Sequence, residues 1–474
     1  MQLETKELGM RKLIVVLFLF LLSIICLILI FNTVTTLSIQ TNIKVATDLP
    51  IYQNSNIRLS QALQIPTTPD SSKHTHFNKF HKWITKSYPT LFKNPNVEWQ
   101  RLNKFSLLAK WVGRSPELNP IVFVAMQHTD EPDLETIPEW SYNPFLGKIE
   151  NGYIHGQGCS SGKAVMIALL EVLTKFVEQN ILPNRTIYLA FPHDNQVGES
   201  AIINSLKKID IKPEFILKTG GLIVNKNDLF NIPKKVALIG IGQQSVVQST
   251  VEIKNKNSNN IIKKEIHHLV SALPPLDTDH PVITQFLSFI IPELNFSQRL
   301  VLSNKWLLNN LIQKRLQKNP FTQNLFGNNI ATNLINYDTS KSTITSIQFS
   351  SPKSLNELEK WLKTHLQHPQ IQLLGQTQTL QKTRIAPIQN HAYRIISNTC
   401  KEIFPNLITA PTLVKESYST NWQTKFNSDI YYFHPLIFDQ ICWKKHLRKV
   451  DDKISIKNYK QMLQFYHKLL LNNI

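Results

Sequence analysis

The sequence predicts an α/β protein, with a layered domain on an open sheet, a second unit of different pattern, and one membrane-spanning helix ahead of both. Three observations carry this reading. Short apolar runs or helix starts meet polar or glycine-containing clusters: I-V-F-V-A-M-Q-H-T-D at 121–130, H-G-Q-G-C-S-S-G-K at 155–163, Y-L-A-F-P-H-D-N-Q at 188–196 and F-I-L-K-T-G-G at 215–221. In an open α/β sheet such clusters gather at the carboxyl ends of the strands, where sites are built. Near Ser245 the pattern changes to S-V-V-Q-S-T-V-E-I-K, whose alternation marks a half-exposed strand. Residues 13–31 form an apolar run whose only weakly polar members are Ser23 and Cys26.

Taken in order, residues 1–12 are cytoplasmic and 13–31 are an uncleaved anchor. Arg11 and Lys12 precede the run and no Lys or Arg follows until Lys44, a bias that keeps the N-terminus in the cytoplasm and puts the body on the other side. At about 1.5 Å per residue the run nearly spans a hydrocarbon core of roughly 30 Å. The following T-V-T-T-L-S-I-Q offers no small-x-small cleavage site, which argues against a signal peptide. Residues 32–60 are polar, lack periodicity and read as a stalk. The first globular unit then shows a helix near 81–93, a strand at Ile121, an amphipathic helix over 163–178 and strands over 185–191 and 215–217. The entry Cys159-Ser160-Ser161-Gly162 supplies hydroxyls for capping that helix. In the second unit, 342–349 reads as a strand and 354–366 as a helix. The stretch 286–327 is apolar and carries Arg299, Lys305, Lys314, Arg315 and Lys318, a character suited to a membrane surface, although ordinary packing is the weightier reading. The chain closes with a strand over 430–433 and a helix over 456–471.

Composition narrows the partners. A chain of 474 residues, 42% hydrophobic and 18% charged, is globular and long enough for two domains. The net charge of +19 favours anionic partners. The basic residues are scattered and no nucleic-acid motif interrupts them, so nucleic acid is excluded. The four cysteines are Cys26, Cys159, Cys400 and Cys442. One lies in the anchor, so at most one disulfide forms. Cys159 is the one placed for reactivity, against the plainer reading of a small buried residue. The loop G-Q-G-C-S-S-G-K has the wrong spacing for a phosphate loop, and Ala164 stands where Ser or Thr would follow the Lys. Ser160-x-x-Lys163, Lys218-Thr219-Gly220 and Ser419-x-Asn421 copy the elements of penicillin-interacting serine enzymes in a different order, and we set that match aside.

The order and spacing of the four clusters, with Pro138, Trp140, Pro144 and Phe145, V-A-L-I-G at 236–240, L-S-N-K-W-L at 302–307, K-N-P-F-T at 318–322 and I-Y-Y-F-x-P at 430–435, resemble the di-zinc exopeptidases and deacylases that include carboxypeptidase S, aminoacylase and acetylornithine deacetylase. The carboxypeptidase S (Gly-Xaa carboxypeptidase) branch is the nearest in pattern. The resemblance implies a zinc-exopeptidase-like three-layer α/β/α domain at 61–244 and 373–474. It also implies an inserted α+β, ferredoxin-like lid and dimerisation domain at 245–372, and hence a possible homodimer.

The resemblance further implies two zinc ions, but their ligand positions are mostly replaced. The His and Asp of the first motif are His128 and Asp130. The bridging Asp falls on Ser161 and the next Asp on Gly162. The general-base Glu falls on Asn195, the following ligand on Gln196, and the Asp at the next strand end on Lys218. The late His falls on Arg448, with His446 two residues earlier. The substrate-carboxylate Arg falls on Asn421, and the second domain's His on Val270. Zinc needs three or four His, Cys or carboxylate donors, so the expectation is no cofactor, with zinc as the alternative. Asn195 cannot take the proton a metal-bound water must lose, a step worth roughly 100- to 10,000-fold. His128 and Asp130 read as structural survivors, and His155, His193, His267 and His268 as surface or packing residues.

Two function classes follow. The first is a membrane-anchored, non-catalytic binding or interaction module. Its cleft, lined by Ser161, Asn195, Gln196, Lys218 and Asn421, is uncharged or positive and suits a peptide or N-acyl amino acid end. The second is a diverged metallopeptidase or N-acyl-amino-acid hydrolase working through a residual metal at His128 and Asp130, with His446.

Overall fold

The computed structural model describes residues 2–68, 74–132, 134–225, 230–253, 264–265, 267–269, 271–273, 276–339, 342–351, 355–366, 371–380, 384–415, 421–438 and 450–473. Among these, one large sheet sets the architecture. Its strands lie side by side in the order Val97–Leu102, Ser106–Trp111, Ile187–Phe191, Ile121–Val124, Phe215–Lys218, Asp429–Tyr432, Lys235–Gln243, Leu222–Val224 and Ile437–Phe438, with Leu407–Val414 also pairing Lys235–Gln243. The central block Ile187–Phe191, Ile121–Val124, Phe215–Lys218 and Asp429–Tyr432 is parallel. Those four strands are almost wholly buried, as a parallel sheet covered on both faces must be.

Helices cover the two faces. On one side Ser55–Leu63, Pro89–Lys93, Gly162–Glu178, His391–Ile403 and Ile456–Leu471 enclose the larger core, which includes Leu59, Phe80, Phe123, Phe176, Leu217, Tyr431 and Leu463. On the other side Val197–Lys208 and Asn421–Phe426 close a smaller core around Val122, Ile202, Ile216, Trp422 and Tyr432. This is a three-layer α/β/α arrangement.

A second, antiparallel sheet runs Asn329–Thr339, Ser342–Ser351, Ser245–Ile253, Ile371–Leu380, with the helix Leu355–His365 against it. The strand Ile371–Leu380 carries this unit to residue 380, past the expected boundary at 372. Between its first two strands in sequence, the helices Pro281–Ile290, Phe296–Leu302, Lys305–Lys318 and Pro320–Phe326 return to the large domain, where Val282, Phe286, Leu302, Ile312 and Phe326 join the larger core.

At the N-terminus, Met10–Thr35 is long and apolar enough to cross a membrane, by length and composition, as a signal sequence also would be. The polar segment after it runs against the body. Gln40 Nε2 donates to Thr409 O at 2.9 Å and its Oε1 accepts from Thr409 N at 3.1 Å, while Ala46 N donates to Glu402 O at 2.8 Å.

Two buried charges fix the helix Gly162–Glu178. Glu171 is paired with Arg58 and also accepts from Tyr88 Oη at 2.9 Å. Lys163 is fully buried, donates to Ile65 O at 2.5 Å, and has its Nζ 4.8 Å from the Phe80 ring centroid. Burial pushes the Lys163 ammonium down to about 7. Unfolded, it titrates near 10.4, so between those values the unfolded chain binds more protons and stability rises with pH. In chemical denaturation from pH 7.5 to 9.5, the wild type should gain on Lys163→Met by up to about 1.4 kcal/mol per pH unit. A pH-independent difference would show that the ammonium is not desolvated as described.

Candidate functional site

The parallel block brings four carboxyl ends together. Beyond Val124 comes His128, beyond Phe191 come His193, Asp194 and Asn195, beyond Lys218 come Thr219, Gly220 and Gly221, and beyond Tyr432 comes His434. Of these, His128, Asn195, Thr219, Gly220, Gly221 and His434 line a cavity of about 550 Å3 with Met126, Asp130, Ser160, Ser161, Lys415 and Asp452. Its wall is completed by Leu222, Leu238, Leu413, Val414 and Phe438, and by Asn324 and Leu325 from the helix Pro320–Phe326. The cavity thus lies at the carboxyl ends of the parallel strands, against the helix Pro320–Phe326.

Close backbone approach shapes its floor. Gly158 has φ +98°, and a Cβ there would stand 2.4 Å from Thr129 Cγ2. A Cβ on Gly162 would stand 2.6 Å from Met126 N, so a side chain at this family Asp position requires the backbone to move. Asp452 holds the 156–161 loop, accepting from Gly158 N at 2.9 Å and Ser160 N at 3.4 Å. His434 lies between two carbonyls, Gly220 O at 3.2 Å from Nδ1 and Ser160 O at 3.3 Å from Nε2. It ties two strand-end loops to each other.

The expected residues separate. Ser161 and Asn195 line the cavity. The Ser161 hydroxyl donates to Gly158 O at 3.2 Å and makes no cap bond to the helix it precedes, which corrects the capping expectation. Gln196 is exposed and does not line the cavity. Asn421 begins the helix Asn421–Phe426. His446, Arg448, Cys442 and Val270 lie outside the described residues. His128 lines the cavity, with Nδ1 buried and lacking a hydrogen-bond partner, and burial lowers its pKa, which favours the neutral ring. Asp130 lines the mouth. Cys159 is buried and burial pushes its thiol well up, so it is the inert packing residue rather than a nucleophile. Likewise His193 packs between Phe77 and Phe105 with Nδ1 2.7 Å from Ser106 Oγ, and His267 and His268 are exposed.

Lys218 departs furthest from expectation. It does not line the cavity; its Nζ lies 2.8 Å from Glu199 Oε1, with both side chains at most 3% exposed. Trp422 Nε1 donates to the same oxygen, and Glu199 Oε2 is buried without a hydrogen-bond partner. The cleft therefore takes no positive charge from Lys218. Sequence reasoning missed Glu199, Asp452, His434 and Lys415. Only Glu199 left a signal, as an acid entering a helix beside a strand that ends on an unexplained Lys.

Lys415, at the end of Leu407–Val414, supplies the cation instead. Its Nζ donates to Asn324 Oδ1 and keeps solvent access, yet the surrounding protein desolvates it and pushes its pKa down to about 7. An anion beside it would favour the protonated form.

The profile described as "Peptidase family M20/M25/M40" matches residues 126–472. The chain belongs to this peptidase family. Relatives of the M20 chain include the probable carboxypeptidase S-like protein 2 of Dictyostelium discoideum, 25% identical over 94% of this chain and 92% of its own. The N-fatty-acyl-amino acid synthase/hydrolase PM20D1 of Mus musculus is 23% identical over 87% and 86%. Among solved structures, the M20 metallo-carboxypeptidase Sso-CP2 of Sulfolobus solfataricus superposes with a TM-score of 0.55 at 14% identity, covering 88% of this chain and 98% of that one. The α/β fold is shared.

Membership corrects the expectation that no cofactor attaches to this chain, because metal is the cofactor of M20 metallopeptidases. Among the described residues no three His, Cys, Asp or Glu side chains converge, and Lys218, where the resemblance implied a ligand, is committed to Glu199. Of the ligand positions the resemblance implied, His128 and Asp130 line the cavity.

The Lys218–Glu199 pair gives a stability test. Removing one partner, as Lys218→Met or Glu199→Gln, should cost about 3–5 kcal/mol, while the double Lys218→Met/Glu199→Leu should cost much less than the two summed. Urea denaturation of all four forms measures the coupling, and additive losses would mean that the charges do not depend on each other.

Proposed function

We propose that this M20 chain is a membrane-anchored, non-hydrolytic binding protein for the carboxylate end of an N-acyl amino acid or peptide. The observation that carries this reading is Asn195 in the cavity wall, an amide where catalysis needs a carboxylate to take and return a proton. Binding chemistry remains on both sides of it. Lys415 offers a cation to a carboxylate, and Leu222, Leu238, Leu325, Leu413 and Phe438 offer an apolar wall to an acyl chain. The PM20D1 relative, named for N-fatty-acyl amino acids, is consistent with an amphiphile of that kind. The anchor reading is supported by the end of Met10–Thr35 itself, where Asn304 Nδ2 donates to Leu29 O and Asn304 Oδ1 accepts from Asn32 Nδ2.

Calorimetric titration of the full chain in nanodiscs with N-dodecanoyl-glycine should give saturable binding, weakened about 10-fold or more in Lys415→Ala, as expected for a charge-assisted hydrogen bond. Hydrolysis of that amide with zinc supplied, abolished in His128→Ala, would reject the reading in favour of a working metallohydrolase.

A further inference from the structure

The helices Phe296–Leu302 and Lys305–Lys318 have two unlike faces. Leu302, Ile312 and Leu316 turn into the core. On the other side Phe296, Trp306, Leu307 and Leu311 are 56, 57, 50 and 51% exposed. Four large apolar side chains are thus left uncovered together on one helix pair.

The cluster adjoins the end of Met10–Thr35. Asn304, between the two helices, donates through Nδ2 to Leu29 O at 3.1 Å, and its Oδ1 accepts from Asn32 Nδ2 at 2.9 Å. The hydroxyls of Thr36 and Ser303 are 3.1 Å apart. Trp306 Nε1 donates to Asn304 Oδ1 at 3.3 Å, so the indole lies one residue away from the turn where the apolar run gives way to Asn32 and Thr33. If Met10–Thr35 crosses a bilayer, that turn stands at the headgroups, the level at which Trp concentrates. Lys314, Arg315 and Lys318 follow on the same helix, exposed and outside the ion pairs of the described residues.

We propose that this helix pair lies in the headgroup layer of the bilayer that Met10–Thr35 enters, with Phe296, Trp306, Leu307 and Leu311 immersed and Lys314, Arg315 and Lys318 against anionic lipid phosphates. The inference rests on the anchor reading above. Two features select a lipid surface over a second copy of the chain: direct hydrogen bonding to the end of the apolar helix, and a cationic flank matched to anionic lipid. The contact has a consequence for the cavity. The next helix, Pro320–Phe326, gives Asn324 and Leu325 to its wall, so the cavity is held near the surface into which an acyl chain partitions.

The test uses the full chain in nanodiscs of phosphatidylcholine with phosphatidylserine, with and without lipid carrying a nitroxide near the headgroup. The emission difference between wild type and Trp306→Phe isolates this indole, and it should lose at least half its intensity to the nitroxide. In Leu307→Glu/Leu311→Glu, whose far-UV circular dichroism should be unchanged because both positions are exposed, that loss should fall severalfold. An unquenched Trp306 in a chain that co-elutes with the discs would overturn the proposal while leaving the anchor intact, and quenching that appears only on dilution to a monomer would do the same in favour of a second copy. N-terminal sequencing that finds the helix removed would sink the anchor reading instead. The processed chain would then be floated with the same vesicles: flotation lost in Leu307→Glu/Leu311→Glu would support the lipid face, and no flotation would overturn it.

Discussion

Lys218 and Glu199 face each other at 2.8 Å with almost no access to solvent, and much of the remaining site follows from that contact. Each charge has lost its water, so each depends on the other. Bringing Lys218 into the cavity would strand Glu199, whose second oxygen already lacks a hydrogen-bond partner. The pair joins the end of a central strand to the helix Val197–Lys208, and through Trp422 to Asn421–Phe426. The corner is part of the packing on one face of the sheet.

On the opposite side, parallel strands deliver His128, Asn195, Gly220 and His434 to one cavity, and Asp452 fixes the 156–161 loop by taking two of its backbone N–H groups. The cavity now combines an apolar wall, a partly desolvated amine at Lys415 and an amide at Asn195. Under the proposed function such a set would recognise an acyl amino acid, because recognition needs complementary charge and apolar area, whereas hydrolysis also needs a group that carries a proton away.

The segment from Leu29 to Ala46 links this cavity to the apolar N-terminal helix. Its hydrogen bonds to Asn304, Thr409 and Glu402 hold the 281–326 helices, the sheet and the end of the helix in one arrangement. That arrangement places the exposed Trp306 and the cavity residue Asn324 within one succession of helices.

The fold was legible because its signals are local and periodic. Buried parallel strands must be apolar, strand ends that carry a site must be polar or glycine-rich, and a helix crossing lipid must be a continuous apolar run. The sequence by itself determined the layered fold and the second sheet beginning near Ser245. It also located His128, Asp130, Ser161 and Asn195 at the site. Only the tertiary structure decided which of the charges face the cavity. Lys218 was withdrawn by Glu199, nineteen positions away, and Lys415 came forward to Asn324 across 91 positions of chain. Charge pairing and burial depend on distance in space, and nothing periodic in a sequence records it.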